Sequence, residues 1–157
     1  DGQRWLASHA APCPRYLRRE GGAWQQWRHG QWTALPLDAP ACHLSYFEAQ
    51  AWCHWRGRRL PTEAQWACAL AHHPEAFDWG QVWEWTASAF APFEGFEPHP
   101  YRDYSLPWFD GRPVLRGASF ATSERLRHWR FRNYHTPERN DIFAGFRSCA
   151  PDPKRAR

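Results

Sequence analysis

The sequence predicts a single α+β domain of two short helices, short strands and long loops. Three observations carry that prediction: two helix-start signatures in succession, several brief alternating segments, and a long aromatic stretch without any period. The chain has 157 residues, enough for one globular domain and short for two. A chain of this size buries roughly 70% of the surface its unfolded form exposes. Its 12 Trp, 10 Phe and 5 Tyr can fill that interior.

The helices are the clearest local signals. Ser45-Tyr-Phe-Glu48 has the form of a capping box, in which the Ser hydroxyl accepts from the Glu48 amide while the Glu carboxylate reaches back. This helix should run to about Arg56, with Gly57 as its left-handed stop. Thr62-Glu-Ala-Gln65 repeats the device after Pro61 and opens a second helix to about Ala71. Ala64, Ala67, Cys68 and Ala71 recur at helical spacing, which predicts a small, closely packed face.

Strands are briefer. Gly21-Gly22 and His29-Gly30 read as turns around short strands from Ala23 to Arg28 and from Gln31 to Leu35. Val82 to Thr86 alternates, with Trp83 and Trp85 on one face. Pro113 to Gly117 and Ile142 to Cys149 read as closing strands. Between them, Ser88 to Arg112 is a long aromatic loop broken by Pro92, Pro98, Pro100 and Pro107. Long loops in compact domains are usually functional.

Composition excludes several classes. The net charge is +4, yet Arg18-Arg19, Arg56 to Arg59 and Arg125 to Arg132 are scattered and form no stripe. Only the tail Lys154-Arg155-Ala-Arg157 is a basic cluster, so a nucleic-acid partner is not expected. No run approaches the roughly 18 apolar residues of a membrane span, and no signal peptide opens the chain, so neither membrane association nor export is expected. Five cysteines without a C-x-x-C pair argue against a disulfide framework or zinc site and for a reducing cytoplasm. The nine histidines include no pair at metal-ligand spacing. The abrupt, Trp-rich start without an initiator Met reads as a piece of a longer protein.

Four phrases in order carry a family resemblance: Leu60-Pro-Thr-Glu-Ala-Gln-Trp66, Gly80-Gln-Val-Trp-Glu-Trp85, Leu115-Arg-Gly-Ala-Ser-Phe120 and Gly145-Phe-Arg147. Together they resemble the formylglycine-generating-enzyme superfamily, which implies a variant of the C-type-lectin fold. In the formylglycine-generating enzymes two cysteines bind copper; the positions aligned with them here are Thr122 and Arg127. A hydroxyl and a guanidinium cannot replace the soft thiolates that hold cuprous ion. Pro100-Tyr-Arg-Asp-Tyr-Ser105, Arg132-Asn-Tyr-His-Thr-Pro-Glu-Arg139 and Ile142-Phe-Ala-Gly-Phe-Arg147 resemble instead the sulfoxide synthases of ergothioneine biosynthesis and their relative, selenoneine synthase.

That resemblance implies an oxidoreductase that uses Fe(II) and dioxygen to form a C–S or C–Se bond on the imidazole of hercynine, a trimethylated histidine. An upstream helical bundle would supply three histidines for the iron, with no metal ligand in this segment. Residues 1–157 would then be part of the substrate-binding domain.

The resemblance assigns roles residue by residue. Tyr101 would be the catalytic tyrosine that hands a proton to reduced dioxygen; a phenol can donate without carrying charge at rest. From the residues alone it reads rather as a packing tyrosine in an aromatic loop. Tyr104 and Tyr134 would help hold the trimethylammonium group, which cannot donate a hydrogen bond and is held by aromatic faces; ordinary packing is the competing reading. Asn133 would bind hercynine through its amide, or else is a turn residue ahead of Pro137. Arg139 would receive the carboxylate of the sulfur donor through its planar fork, or else is a solvated arginine. His135 stands where γ-glutamylcysteine-using relatives carry aspartate. An imidazole offers no fixed negative charge for a donor's ammonium, so a neutral donor such as a selenosugar fits better than a cysteine-type thiol.

Glu84 and Trp83 read as structural, with Glu84 satisfied by the backbone or by Arg147 or Arg116. A non-catalytic lectin-like binding module is the alternative to the enzyme.

Overall fold

A computed structural model describes residues 1–9 and 13–151; the basic tail at Lys154 to Arg157 lies outside them. Helix α1 (Gly2–Ser8) is followed by strands β1 (Leu17–Glu20), β2 (Ala23–Arg28) and β3 (Gln31–Ala34), helices α2 (Tyr46–Trp55) and α3 (Glu63–His72), and strands β4 (Trp83–Ala89), β5 (Pro113–Gly117), β6 (Asn133–Tyr134) and β7 (Ala144–Phe146). The strands form two sheets. One is an antiparallel meander β1-β2-β3; the other has the order β6-β5-β4-β7.

Both helix starts form as the sequence dictates. Glu48 N donates to Ser45 Oγ at 3.2 Å and Ser45 N to Glu48 Oε2 at 2.7 Å. At α3, Gln65 N donates to Thr62 Oγ1 at 3.1 Å and Thr62 N to Gln65 Oε1 at 3.0 Å. Two otherwise orphaned backbone donors are thereby satisfied at each end. Gly57 follows α2 with φ +62°, the left-handed conformation that ends a helix.

The expected small-residue face of α3 is a correction. Ala64, Cys68 and Ala71 are exposed and Ala67 is half-buried, whereas Trp66 is 1% exposed. One indole buries more apolar area than four small side chains, and its N–H finds a partner inside: Trp66 Nε1 donates to Glu84 Oε2 at 2.8 Å. The helix is rotated to satisfy tryptophan, not alanine.

The core unites Ala49 and Cys53 of α2 with Leu60, Trp85, Leu115 and Ala144, flanked by Tyr46, Trp83, Ile142 and Phe146. Trp85 Nε1 donates to the Leu44 carbonyl at 2.8 Å. Strand β7 lies parallel to β4, with Gly145 opposite Glu84. A Cβ at Gly145 would sit 2.3 Å from the Ala41 carbonyl oxygen, so only glycine fits this crossing.

Three other expectations shift. The strand expected over Val82 to Thr86 runs on to Ala89 across an irregularity between Trp85 and Ala89. The closing strand expected over Ile142 to Cys149 shrinks to β7, with Cys149 paired separately to Arg59 in an isolated bridge. Strand β6 pairs with β5, Val114 opposite Tyr134 and Leu115 opposite Asn133. Asn133 is therefore a strand residue; its short two-residue strand carries too little alternation to read in sequence.

Candidate functional site

The loop between β4 and β5 is pinched at its base, where Phe90 N donates to the Arg112 carbonyl at 2.7 Å. Everything between projects from the end of the sheet's two inner strands, where β6 pairs beside β5. Two 3-10 turns shape its far part, Arg102–Tyr104 and Leu106–Trp108. Tyr101 precedes the first turn: Tyr104 N donates to its carbonyl at 3.1 Å, and its own N–H donates to His99 Nδ1 at 3.1 Å. The indole of Trp108 ties the two turns together, donating to the Asp103 carbonyl at 2.9 Å.

Strand β6 delivers Tyr134 to this loop. Its ring stacks on buried Phe90, with centroids 4.1 Å apart at 21°, and lies near Trp108 at 6.4 Å and 28°. Its hydroxyl donates to the Tyr104 carbonyl at 3.4 Å. Phe109 packs on Phe90 at 4.8 Å. Burial is the main cause that raises the Tyr134 phenol above its ordinary pKa. The guanidinium of Arg112 lies 4.9 Å from the Trp108 ring and 5.8 Å from the Tyr134 ring.

The six candidates therefore divide. Tyr104 and Tyr134 meet through that hydroxyl-to-carbonyl bond, while the Tyr104 ring itself leans on His99 at 5.5 Å. Tyr101 joins them only through the backbone and is 63% exposed; Tyr104 is 68% exposed. The side chain of Asn133 turns to its own strand, its Oδ1 accepting from Tyr134 N at 2.9 Å. Arg139 commits its fork to Asp141, with Nε–Oδ1 at 2.5 Å and Nη2–Oδ2 at 3.0 Å. That bond holds the Asp141 carboxyl below its usual range. A donor carboxylate would have to share Arg139 or displace Asp141.

His135 is half-buried. Burial pushes its imidazole below the ordinary 6.5, and Arg139 and Arg112 push the same way while Asp141 opposes them. It is a neutral imidazole among guanidinium groups. Neither of two neighbouring recesses is lined by any of the six residues: one of about 410 Å³ runs between Tyr46, Gly111, Pro113 and Pro137, and one of about 740 Å³ lies by Cys53, Arg58 and Gln65.

Phe90, Trp108 and Arg112 escaped the sequence reading. Each lies within or at the end of the aromatic loop, but only the pairing of β5 with β6 brings them to Tyr134, and local spacing carries no trace of that.

Behind the site, the frame is ionic. Arg132, immediately before β6, grips Glu63 of α3 with two bonds of 2.8 Å. Arg116 of β5 approaches the same carboxylate at 3.4 Å. Thr122 Oγ1 accepts from Ser119 N at 3.0 Å, and Arg127 donates to the Trp79 carbonyl at 3.2 Å beside Gly80. These two residues brace loops. Among the described residues the cysteines are free thiols, and no group of three or more His, Cys, Asp or Glu could hold a metal ion. No helix among them is long and apolar enough to cross a membrane.

Comparison with known proteins agrees with this architecture. Residues 3–81 and 76–151 match the family described as the sulfatase-modifying factor enzyme 1-like domain. A hercynine oxygenase of Mycobacterium tuberculosis is 35% identical over 179 aligned residues, covering 86% of this chain and 42% of that protein. One from Mycolicibacterium smegmatis is 33% identical, covering 76% and 39%. The formylglycine-generating enzyme of Bos taurus is 37% identical over 73 residues, covering 45% and 20%. The chain thus spans about two fifths of the hercynine oxygenases it matches.

The chain belongs to the sulfatase-modifying factor enzyme 1-like domain family, with the C-type-lectin-like α+β fold of that family, and its likeness runs further along the ergothioneine-type enzymes than along the bovine formylglycine-generating one.

Proposed function

We propose that the whole protein is an oxidoreductase that joins sulfur or selenium to the imidazole carbon between the two nitrogens of hercynine, and that this chain holds the hercynine. The observation that carries the reading is the junction of the aromatic loop with β6, where the Tyr134 hydroxyl meets the Tyr104 carbonyl. The likeness to hercynine oxygenases along 86% of the chain supports it.

Ferrous iron, bound by histidines outside this chain, would activate dioxygen and orient the donor. We assign to this chain's residues binding, orientation and proton handling. The trimethylammonium of hercynine would lie against the Tyr134 and Tyr104 rings, where a cation–π contact is worth about 0.5–1 kcal/mol at an exposed ring and about 2 kcal/mol when desolvated. Asn133 meets the other end of the ligand through its amide N–H₂, its oxygen being engaged by the backbone. Tyr101, exposed on this chain, would hand on the proton.

We favour a donor without an ammonium group. His135 carries no negative charge and sits among Arg112 and Arg139; an ammonium there would meet cations. A selenosugar satisfies that environment better than cysteine or γ-glutamylcysteine. The deciding experiment is an assay of the iron-loaded full-length protein with hercynine and each of the three donors separately, read by mass spectrometry. A hercynyl adduct that carries selenium on the imidazole carbon and still bears the sugar, from the selenosugar alone, is the expected product. A sulfoxide from either thiol at higher efficiency would reverse the donor assignment, and no hercynine-derived product from any donor would end the enzymatic reading.

A further inference from the structure

One of the two rings assigned to the ligand's ammonium, that of Tyr134, already has a guanidinium 5.8 Å from its centroid. Tyr134 has two ring faces. One is stacked on Phe90; towards Trp108 the corner is closed by the Arg112 guanidinium, 4.9 Å from one centroid and 5.8 Å from the other. This arginine is not a stray surface group. Its side chain is 16% exposed, and Asp110, at 48%, holds it as a fork: Nε–Oδ1 2.8 Å and Nη2–Oδ2 2.6 Å, with the Arg112 backbone N–H also on Oδ1 at 3.2 Å.

We propose that Arg112 is a built-in competitor for the quaternary-ammonium pocket, occupying the Trp108–Tyr134 corner until an incoming trimethylammonium group displaces it. The proposal rests on the reading of Tyr134 as part of that pocket. A guanidinium and a quaternary ammonium seek the same π surface, but only the guanidinium can also hydrogen-bond. Because its anion Asp110 is half-exposed and adjacent in the loop, Arg112 can swing off the rings and keep its partner. Weakly adhering amines then fail to open the pocket, and the apparent affinity of every ligand is lowered by the fraction of molecules already open. Arg112 thereby sets an affinity threshold for the pocket, touching the ligand's place rather than the ligand.

The test is calorimetric titration of the full-length protein with tetramethylammonium and with hercynine, comparing wild type with Arg112→Gln and Arg112→Met. Methionine keeps an apolar stem over the rings and guards against a folding defect in the glutamine variant. Both variants should bind tetramethylammonium about five- to tenfold more tightly, a gain matching one cation–π contact. The gain should survive about 1 M salt, where the screening length is about 3 Å. Unchanged or weaker binding in both variants overturns the proposal, as does a gain that vanishes in high salt, which would mark general charge repulsion. If no quaternary ammonium binds wild type or variants, the pocket reading falls as well; a wild type that binds and variants that do not improve sink the competitor alone.

Discussion

Arg147 and Glu84 are joined by two parallel bonds, Nε–Oε2 at 2.5 Å and Nη2–Oε1 at 2.8 Å. Trp66 donates to the same carboxylate, and the Arg147 guanidinium also reaches the Asp78 carbonyl at 2.6 Å while lying 3.7 Å over Phe77. One carboxylate of β4 thus locks α3, β7 and the turn between α3 and β4. Glu84→Ala leaves a half-buried guanidinium and a buried indole N–H without their acceptor. Breaking such a pair by removing one partner costs about 3–5 kcal/mol. Urea unfolding of the variant should show a loss of that size, and a loss below about 1 kcal/mol would mean the pair is ornamental.

Arg132 does for β6 what Arg147 does for β7. Its two bonds to Glu63 hold the residue next to Asn133 against α3, and its guanidinium covers Phe90 and Phe93 at 4.7 and 4.3 Å. Arg132→Ala should loosen Tyr134 from Phe90 and raise KM for hercynine more than it lowers kcat. Steady-state kinetics separate the two; an unaltered KM would detach the ion pair from the site.

Tyr101→Phe keeps the ring and removes the proton. Hercynine binding measured by calorimetry should be within about twofold of wild type, while product formation falls about 10²–10⁴-fold, the usual range for a positioned acid or base. Full activity in this variant would strip Tyr101 of its role.

Acid should destabilise the fold in a window that two histidines set. Burial is the first cause holding both His43 and His135 below the ordinary 6.5. Below about that value the unfolded chain takes up protons the folded chain refuses, so stability rises with pH through the window and is lost as pH falls. His135→Asn removes one of the two groups. The melting temperature should therefore drop less between pH 7.5 and 5.5 in the variant than in wild type; an equal drop would assign the acid sensitivity elsewhere.

Local rules made some of this molecule legible and not the rest. Ser45, Glu48, Thr62 and Gln65 announce their helices because a capping box is closed within four residues. For Glu84 the sequence leaves the backbone, Arg147 and Arg116 open, because a carboxylate between two tryptophans must find a partner; Arg147 is the arginine that meets it, while its cross-strand neighbour Arg116 goes to Glu63. The α3 face was misread because spacing counts apolar positions without weighing them, and Trp66 outweighs its small neighbours. Arg112 and Phe90 stayed hidden for a different reason. Their link to Tyr134 exists only once β5 and β6 pair, and nothing in the loop's own sequence encodes that meeting. Arg139 was read as open to a ligand, since a bond to Asp141, two residues away, leaves no periodic mark.

Donor choice turns on one position and can be tested by reversing it. His135 is neutral and flanked by Arg112 and Arg139, with Asp141 already engaged by Arg139. Aspartate in its place would put a fixed anion among these guanidinium groups, and a donor's ammonium would then find an acceptor where wild type offers none. His135→Asp should lower KM for γ-glutamylcysteine about five- to thirtyfold, corresponding to about 1–2 kcal/mol for a partly buried charge-assisted contact. A selenosugar has no ammonium to exploit the new anion, so its KM should stay the same or rise. The ratio of the two efficiencies, measured in one competition assay, isolates the effect from any general loss of activity. If that ratio does not move, position 135 does not face the donor, and the preference for a neutral one loses its basis.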